Sequence, residues 1–373
     1  MMAAGKAVLI VNAGSSSLKW VVLDAETESV KQQGDASWEG SEAGRHEREM
    51  AAALDQIDRV DAIGHRVVHG GTRFRLPILI NAQVREEISR LSELAPLHNP
   101  AAVAGIDAAG TRFPQVPQVA AFDTAFHASL PQTAAIYPIP WEWTTRWELR
   151  RFGFHGLSVE YSVGRATELL GRVPPRLVVC HLGAGCSITA VAEGKSVSTS
   201  MGFTPLEGVM MAQRSGSIDP GLLLFLLSQR GMDLAELDHG LNERSGLLGV
   251  SGVSADMRQV LAAANAGQER AVLARDMFVD RLVSGVGAMA ATLHGLDALV
   301  FTGGIGEHSA TIRAAVCDAF SYLGLRLNPE SNSASRTDDR DIAHTEGVVR
   351  VLVVAAREDL SILRQVKRVL GWS

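Results

Sequence analysis

The chain has 373 residues, of which 46% are hydrophobic and 20% are charged, a composition typical of a globular protein with about two domains. Its formal net charge of −6 argues against a general nucleic-acid or membrane-surface binder, so a site for an anionic substrate must be locally basic. Three scattered cysteines are too few for a disulfide framework and favour a reducing compartment. Because no apolar stretch reaches membrane-span length and no signal peptide is recognisable, we expect a cytoplasmic enzyme.

The first segment is the most informative. Val8–Val11 is an apolar run typical of a buried strand, Asn12–Ser17 is a small polar turn, and Lys19 precedes a second apolar run. A strand, a Gly/Ser turn and a strand predict a β-hairpin whose tip offers N–H groups, hydroxyls and an ammonium to phosphate. The spacing is not that of a Walker A loop. An ordinary hairpin turn is the other interpretation.

The pattern after this hairpin mixes helices and strands. In chain order, the sequence predicts a surface excursion over 26–50, a helix over 84–94, a strand over 118–122, an irregular crossover around 138–147, helices over 222–227 and 271–293, strands over 296–301 and 349–354, and a last helix over 360–369. Residues 176–197 repeat the opening strand–turn–strand pattern about half a chain later. Two similar halves predict a nucleotide held in the cleft between them, and chance similarity of two hairpins is the alternative.

Four side chains at the ends of apolar runs are candidates for chemistry, because active-site residues of α/β folds lie there. Arg66 and Asp123 each follow or end a predicted strand, His155 lies in a glycine-rich turn, and Arg214 lies in a mostly apolar segment. A guanidinium can bind a carboxylate or phosphate with two hydrogen bonds. Structural ion pairs and a structural histidine are the alternatives. The segment Thr302–His308 is interpreted as a glycine-rich turn that lets a flat ring or phosphate approach the backbone.

Taken together, these segments resemble the acetate kinase family. The matching blocks follow the family order over nearly the whole chain and read N-A-G-S-S-S-L-K, G-H-R-V-V-H-G-G, A-P-L-H-N-P, F-D-T-A-F-H, F-G-F-H-G, H-L-G-x-G, S-M-G-F-T-P-L-E-G, R-S-G-x-I-D-P, S-G-V-S-A-D-M-R and T-G-G-I-G-E. The resemblance implies a phosphotransferase with a carboxyl group as acceptor. It would convert ATP and acetate reversibly into ADP and acetyl phosphate, with Mg²⁺ or, in its place, Mn²⁺.

The resemblance also implies an α/β architecture and an assembly. The family shares the fold of actin, Hsp70 and the sugar kinases, with two duplicated RNase H-like domains and the active site in the cleft between them. We expect residues 1–148 with 355–373 to form the N-terminal domain, completed by the C-terminal helix. Residues 149–354 would form the nucleotide-binding domain. The expected partners are the two substrates and a second copy of the chain, with neither nucleic acid nor membrane.

Residue roles follow from the resemblance, position by position. The catalytic set is Arg66, Asp123, His155 and Arg214. The acid-binding residues are Arg66, Val68, Leu97, Phe154 and Pro205. The nucleotide-binding residues are Ser17, Lys19, His181, Leu182, Gly183, Ala184, Gly185, Asp256, Met257, Arg258, Gly304, Ile305, Gly306, Glu307 and His308. The metal-associated residues are Asn12 and Glu358.

The chain departs from the family pattern on the nucleotide side. Ala184 and His308 replace asparagines, Cys186 replaces a serine, Ser217 replaces an aspartate, and Arg357 adds a charge. The two asparagine replacements predict weaker or less base-selective nucleotide use.

Two other functions stay open at this point. One is a kinase for propionate or another short-chain acid, or a kinase with a donor such as pyrophosphate. The other is a nucleotide-gated binding or chaperone-like protein, which would leave Arg66, His155 and Arg214 without a role.

Overall fold

A computed structural model of the chain describes residues 5–14, 17–38, 45–96 and 98–372. Leu97, predicted to bind the acid, lies outside these ranges. Contacts divide the chain into two compact units. Residues 1–128 and 357–373 form the first unit, and residues 129–356 form the second.

Strands and helices alternate along both units. The strands are β1 (Ala7–Ala13), β2 (Ser17–Asp24), β3 (Val30–Ser37), β4 (Ala62–Val67), β5 (Ile78–Leu79), β6 (Gln118–Phe122), β7 (Arg176–Leu182), β8 (Cys186–Ala192), β9 (Lys195–Thr199), β10 (Ala298–Thr302), β11 (Arg340–Asp341) and β12 (Arg350–Val353). The helices are α1 (Arg45–Asp55), α2 (Ala82–Arg90), α3 (Asn99–Arg112), α4 (Gln132–Ala135), α5 (Trp141–Trp147), α6 (Gly156–Leu170), α7 (Pro220–Gln229), α8 (Leu234–Glu243), α9 (Gly246–Ser251), α10 (Met257–Asn265), α11 (Glu269–Thr292), α12 (Gly303–His308), α13 (Ala310–Asp318), α14 (Pro329–Ser333) and α15 (Glu358–Leu370). Within the described ranges, no helix has both the length and the apolar character that crossing a bilayer requires.

Both units contain a six-stranded sheet of the same design. The first sheet has the order β3-β2-β1-β4-β6-β5, and the second has the order β9-β8-β7-β10-β12-β11. In each, three antiparallel strands are followed by two parallel strands and an antiparallel edge strand. Corresponding strands occur in the same order along the chain, which confirms the predicted duplication and the α/β fold class.

Three local interpretations of the sequence were wrong. The segment around 138–147, expected to be irregular, contains helix α5. Residues 26–50 are more than a surface excursion, because they include β3, which pairs with β2, and the start of α1. A polar edge strand such as β3 is mostly exposed and has no apolar alternation by which to recognise it. The glycine-rich segment after β10 forms helix α12 where a turn was expected. Gly303 opens that helix with a φ of +76°, which glycine adopts without strain.

A close contact between β4 and α15 positions the C-terminal helix on the first sheet. A Cβ atom added at Gly64 would lie 2.5 Å from Ile362 Cγ2 and 2.9 Å from Val366 Cγ2. Both partners are buried and lie four residues apart, so they share one face of α15. Glycine at this position therefore lets α15 approach the sheet, and α15 begins with Glu358.

The units divide earlier than the predicted domain boundary at residue 148. The segment after residue 128 is fastened within the second unit, since Ser129 Oγ donates to the carbonyl of Ser196 at 2.8 Å. The Tyr137 hydroxyl likewise accepts from the backbone N–H of Phe203 at 2.8 Å. The domain ranges given above stay a prediction.

The Gly64 contact is testable by adding one methyl group. Gly64→Ala forces Ile362 and Val366 away from the sheet, so we expect it to lower the free energy of unfolding by about 1–3 kcal/mol, as overpacking does. Gly240→Ala is the matched control, because nothing lies within 4 Å of an added Cβ there. In helix α8 this control should be neutral or stabilising by up to about 1 kcal/mol. Equal thermal shifts for both variants would contradict the contact.

Candidate active site

In the first unit, the predicted site is organised around Arg66. This residue lies on β4, and Asp123 directly follows the neighbouring parallel strand β6, so both side chains come from adjacent strand ends. Arg66 Nε donates to Asp123 Oδ1 at 3.1 Å and Nη2 donates to Asp123 Oδ2 at 2.7 Å. Burial opposes the charged form of Arg66, but the Asp123 and Glu358 carboxylates raise its pKa above the ordinary value. The guanidinium is therefore held in its charged form.

The two predicted metal-associated residues complete this cluster. Arg66 Nη1 lies 3.5 Å from Asn12 Oδ1 and 3.5 Å from Glu358 Oε2. These contacts are long, whereas the Nε–Nη2 edge of the guanidinium is fully engaged by Asp123. The Nη1 side is consequently the side on which Arg66 can accept a further anion.

Strand β2 of the first hairpin adds a second cation. Lys19 pairs directly with Asn12 across β1 and β2, which places the two side chains on the same face of the sheet. Both line a cavity of about 210 Å³ that Glu358 also lines. Ser17 begins β2, and its carbonyl accepts from the backbone N–H of Gly14 at 2.7 Å. The structure thus brings Asn12, Lys19 and Glu358 to one cavity.

The donor set of this cluster limits which metal could bind. Asn12, Asp123 and Glu358 supply only oxygen atoms. Over the ranges that the structure describes, no three His, Cys, Asp or Glu side chains group closely enough to hold a metal ion. A cation with few protein ligands and several waters fits such a set, and Mg²⁺ has this preference.

In the second unit, His155 and Arg214 both lie next to Gly185 in a glycine turn. A Cβ added at Gly185 would lie 3.2 Å from His155 Nε2 and 3.7 Å from Arg214 Nη1. His155 has a φ of +57°, an unusual conformation for a residue with a side chain, and strain of this kind concentrates at functional sites. Its Nδ1 is 3.0 Å from Ser187 Oγ. That contact directs Nε2 towards the turn.

The His181 ring packs against the His155 ring. The two ring centroids are 4.2 Å apart with an interplanar angle of 32°. His181 is buried, and its Nδ1 lies 2.8 Å from Ser158 Oγ. The structure therefore places His181, predicted as part of a nucleotide segment, where it supports the His155 ring.

Arg214 is a half-buried cation that can bind an anion. Burial lowers its pKa, and across the described part of the chain no carboxylate forms an ion pair with it. A desolvated guanidinium requires a negative partner, and a transferring phosphoryl group would supply one. The segment that carries it is fastened to the turn, because Ala212 N donates to the carbonyl of Ala184 at 3.2 Å.

Two predicted nucleotide segments meet at neighbouring strand ends. Thr302 pairs with His181 across β10 and β7, so the turn at 183–185 and helix α12 lie side by side. A Cβ at Gly303 would lie 2.8 Å from the carbonyl oxygen of Leu182, so only glycine allows this approach. Gly304 faces open space. An exposed backbone at this position can receive a flat ligand.

The remaining predicted residues are placed as follows. Asp256 caps α10 and pairs with the exposed Arg258, whose Nη2 lies 2.6 Å from Asp256 Oδ2. Glu307 Oε1 accepts from the backbone N–H of Ala356 at 3.0 Å. The side chains of Leu182, Met257 and Phe154 are buried. Those of Val68, Pro205 and Ile305 are half-buried, and that of His308 is exposed. Buried positions within the nucleotide segments can offer only backbone groups to a ligand.

Comparison with known proteins decides the family. The sequence model of the Acetokinase family matches residues 45–364. The chain belongs to this family. It is 51% identical to the acetate kinase of Nostoc sp. over 320 residues, which cover 85% of this chain and 78% of that protein.

Solved structures agree with this assignment. Acetate kinase from Porphyromonas gingivalis superimposes with a TM-score of 0.92 and 35% identity, covering 98% of this chain and all of the other. A propionate kinase from Francisella tularensis gives a TM-score of 0.88 and 37% identity, covering 96% of this chain and 98% of the other. The predicted fold class is confirmed. The predicted enzyme class is confirmed as well: an acetate-kinase-type phosphotransferase with a carboxyl group as acceptor.

Sequence reasoning missed one residue that shapes this acetokinase site. Arg313 on α13 is 1% exposed, and its Nη1 donates to the carbonyls of Gly306 and Glu307, each at 2.8 Å. Its Nε donates to Asn332 Oδ1 at 2.8 Å. Burial lowers the pKa of Arg313 to about 10. An arginine within the apolar stretch A-T-I-R-A-A-V was the available signal.

Removing this guanidinium should loosen α12. Arg313→Ala leaves several buried carbonyl oxygens without a donor, so we expect a loss of about 2–4 kcal/mol in the free energy of unfolding. The KM for ATP should rise, because Gly306 and Glu307 belong to a predicted nucleotide segment. Arg326→Ala is the control, since its ion pair with Glu346 is exposed and should contribute below about 1 kcal/mol. A folded Arg313→Ala variant with unchanged stability would contradict the assignment.

Proposed function

We propose that the chain transfers the γ-phosphoryl group of ATP reversibly to acetate, giving ADP and acetyl phosphate. The observation that carries this proposal is Arg214, a half-buried cation beside His155 without a carboxylate partner among the described residues. Such a pair suits a phosphoryl group whose charge develops during transfer. Membership of the Acetokinase family supports the same reaction.

The acid needs no general base, because a carboxyl group with a pKa near about 4 is ionised at neutral pH. One carboxylate oxygen attacks the γ-phosphorus, and the bond from that phosphorus to the bridging oxygen breaks, with its electrons leaving on ADP. Arg66 neutralises the carboxylate through its Nη1 side while Asp123 holds the opposite edge of the guanidinium. Catalysis then consists of positioning and charge stabilisation.

On the phosphoryl group, Arg214 and His155 stabilise the charge of the equatorial oxygens. His181 keeps the His155 ring in place through the tilted contact between the two rings. Val68, Leu97, Phe154 and Pro205 are the residues that we propose to bind the acid's methyl group.

The oxygen donors of the first unit fit a magnesium ion. Asn12 and Glu358 would hold it, and Asp123 would orient its water ligands, since Mg²⁺ keeps several waters. When bound, the ion neutralises phosphate charge, and Mn²⁺ would substitute for it.

ATP and ADP are the proposed nucleotides. Ser17 and Lys19 would contact the phosphates, and residues 181–185, 256–258 and 304–308 would form the nucleotide-binding segments. The Ala184 methyl group cannot form the hydrogen bonds of an asparagine side chain, and His308 is exposed. We therefore propose weaker discrimination between ATP, GTP and pyrophosphate than an asparagine at each position would allow.

Propionate is the second candidate acid. The Francisella tularensis propionate kinase is 37% identical to this chain, and the acetate kinase from Porphyromonas gingivalis is 35% identical to it. One methylene group in an apolar pocket changes discrimination by only about 1–3 kcal/mol. We propose acetate as the preferred acid, with propionate accepted more weakly and butyrate poorly.

We also propose a homodimer in a reducing cytoplasm. Helix α7 has an apolar sequence and no buried residue, and it exposes Leu222, Leu224 and Phe225. An uncovered apolar helix suits a second copy of the chain, and the molar mass from light scattering measures this. The three cysteines are buried and unpaired, which suits a reducing compartment.

The direct test traps the acyl phosphate with hydroxylamine, using acetate, propionate and butyrate with each of the three donors. We expect hydroxamate from acetate and ATP. Absence of product from every acid would contradict the proposed function.

Arg214→Ala tests the role of the second unit. We expect kcat to fall by at least about 10²-fold, because the contact strengthens in the transition state, while the KM for ATP changes little. Arg244→Ala removes an exposed arginine of the same unit and is the control. A near-native kcat in the Arg214 variant would exclude this role.

A further inference from the structure

Two segments of the second unit carry the predicted acid-pocket residues of that unit. One runs through residues 150–154 and ends in Phe154, immediately before His155. The other runs through residues 201–207 and carries Pro205. Backbone hydrogen bonds join them, because the N–H groups of Phe152 and Gly153 both donate to the carbonyl of Gly202, at 3.1 and 3.2 Å.

Three side chains strengthen this junction. The Tyr137 hydroxyl donates to Glu207 Oε2 and accepts from the backbone N–H of Phe203, the latter at 2.8 Å. Arg151 Nη2 forms an ion pair with Glu207 Oε1. Arg151 Nη1 donates to the carbonyl of Met201 at 2.9 Å. The Glu207 carboxylate therefore accepts hydrogen bonds from the Tyr137 phenol and the Arg151 guanidinium. Each of these two side chains also forms a hydrogen bond with the backbone of the 201–207 segment.

The network leaves no room for a side chain at Gly202. A Cβ added there would lie 1.7 Å from Glu207 Oε2 and 2.1 Å from the Tyr137 hydroxyl oxygen. The φ of Gly202 is not in the left-handed region, so space, not backbone conformation, requires the glycine. The hydrogen bond between Tyr137 and Glu207 thus passes directly over the segment that carries Pro205.

The charges of this network are also matched. Burial and the hydrogen bond to Glu207 both raise the pKa of Tyr137, so the phenol keeps its proton and remains a donor. Arg151 is only 18% exposed, and its guanidinium lies over the Tyr137 ring at 5.4 Å. Charge-assisted hydrogen bonds with little solvent around them are stronger than neutral ones. The 201–207 segment is consequently held on both sides.

We infer that Tyr137, Arg151 and Glu207 are positioning residues that fix Pro205 and Phe154 and thereby set the length of acid that the enzyme accepts. This inference rests on the proposed function, in which Phe154 and Pro205 line the pocket for the alkyl group. The three residues do not touch the reacting atoms. They act by keeping the wall of the pocket from yielding to a longer acid.

Tyr137→Phe removes the hydroxyl and keeps the ring. Glu207 then loses a donor and the N–H of Phe203 loses its acceptor, so the pocket wall should move more easily. We expect the KM for acetate to rise about tenfold, the scale of losing a buried hydrogen bond, with the KM for ATP nearly unchanged. The ratio of kcat/KM for acetate to that for butyrate should fall at least about fivefold. Tyr322→Phe makes the same chemical change at an exposed position and is the matched control.

Two further variants keep the test decisive if Tyr137→Phe does not fold. Glu207→Gln retains an acceptor for Tyr137 but loses the charge that pairs with Arg151, so its effect should have the same direction. Gly202→Ala should separate Tyr137 from Glu207 and shift selectivity likewise. If folded variants lose activity equally for all acids, or keep the wild-type ratio, the inference is wrong. If the wild-type enzyme makes no acyl phosphate, the proposed function itself fails.

Discussion

The ion pair between Arg66 and Asp123 is the interaction on which the first half of the site depends. Asp123 is 1% exposed, and a carboxylate so buried requires the two hydrogen bonds that Arg66 donates to it. By occupying one edge of the guanidinium, Asp123 turns the Nη1 side towards Asn12 and Glu358. Side chains from two strands, a strand end and the C-terminal helix are thereby gathered around one charge. Glycine at position 64 lets that helix approach.

The second unit differs from the first in how its buried positive charge is paired. Its glycine turn at 183–185 brings a strained His155 and a half-buried Arg214 to the same place. In the first unit, Asp123 already neutralises one edge of the Arg66 guanidinium, which suits recognition of a singly charged acid. The second supplies a cation without a carboxylate partner among the described residues, which suits a group whose charge grows during the reaction.

Much of the fold and of the candidate site could be predicted from the sequence, because local patterns determine the strands and the residues at their ends. The two hairpins show as apolar runs around small polar turns, and Asp123 ends an apolar strand, as catalytic groups of α/β folds do. What could not be predicted depends on contacts between distant segments. Nothing near Tyr137 indicates that its hydroxyl meets Glu207, and nothing near Arg313 indicates the carbonyls it holds. Strand β3 escaped recognition because an exposed edge strand needs no apolar face.

The most direct test concerns the Nη1 side of Arg66. Lysine keeps the positive charge but cannot form the two-pronged contact, so Arg66→Lys separates charge from geometry. If Arg66 binds the acid, the KM for acetate measured by hydroxamate formation should rise at least about tenfold, with the KM for ATP changed less than about twofold. An unchanged KM for acetate combined with a raised KM for ATP would contradict the account, because Arg66 would then serve the nucleotide.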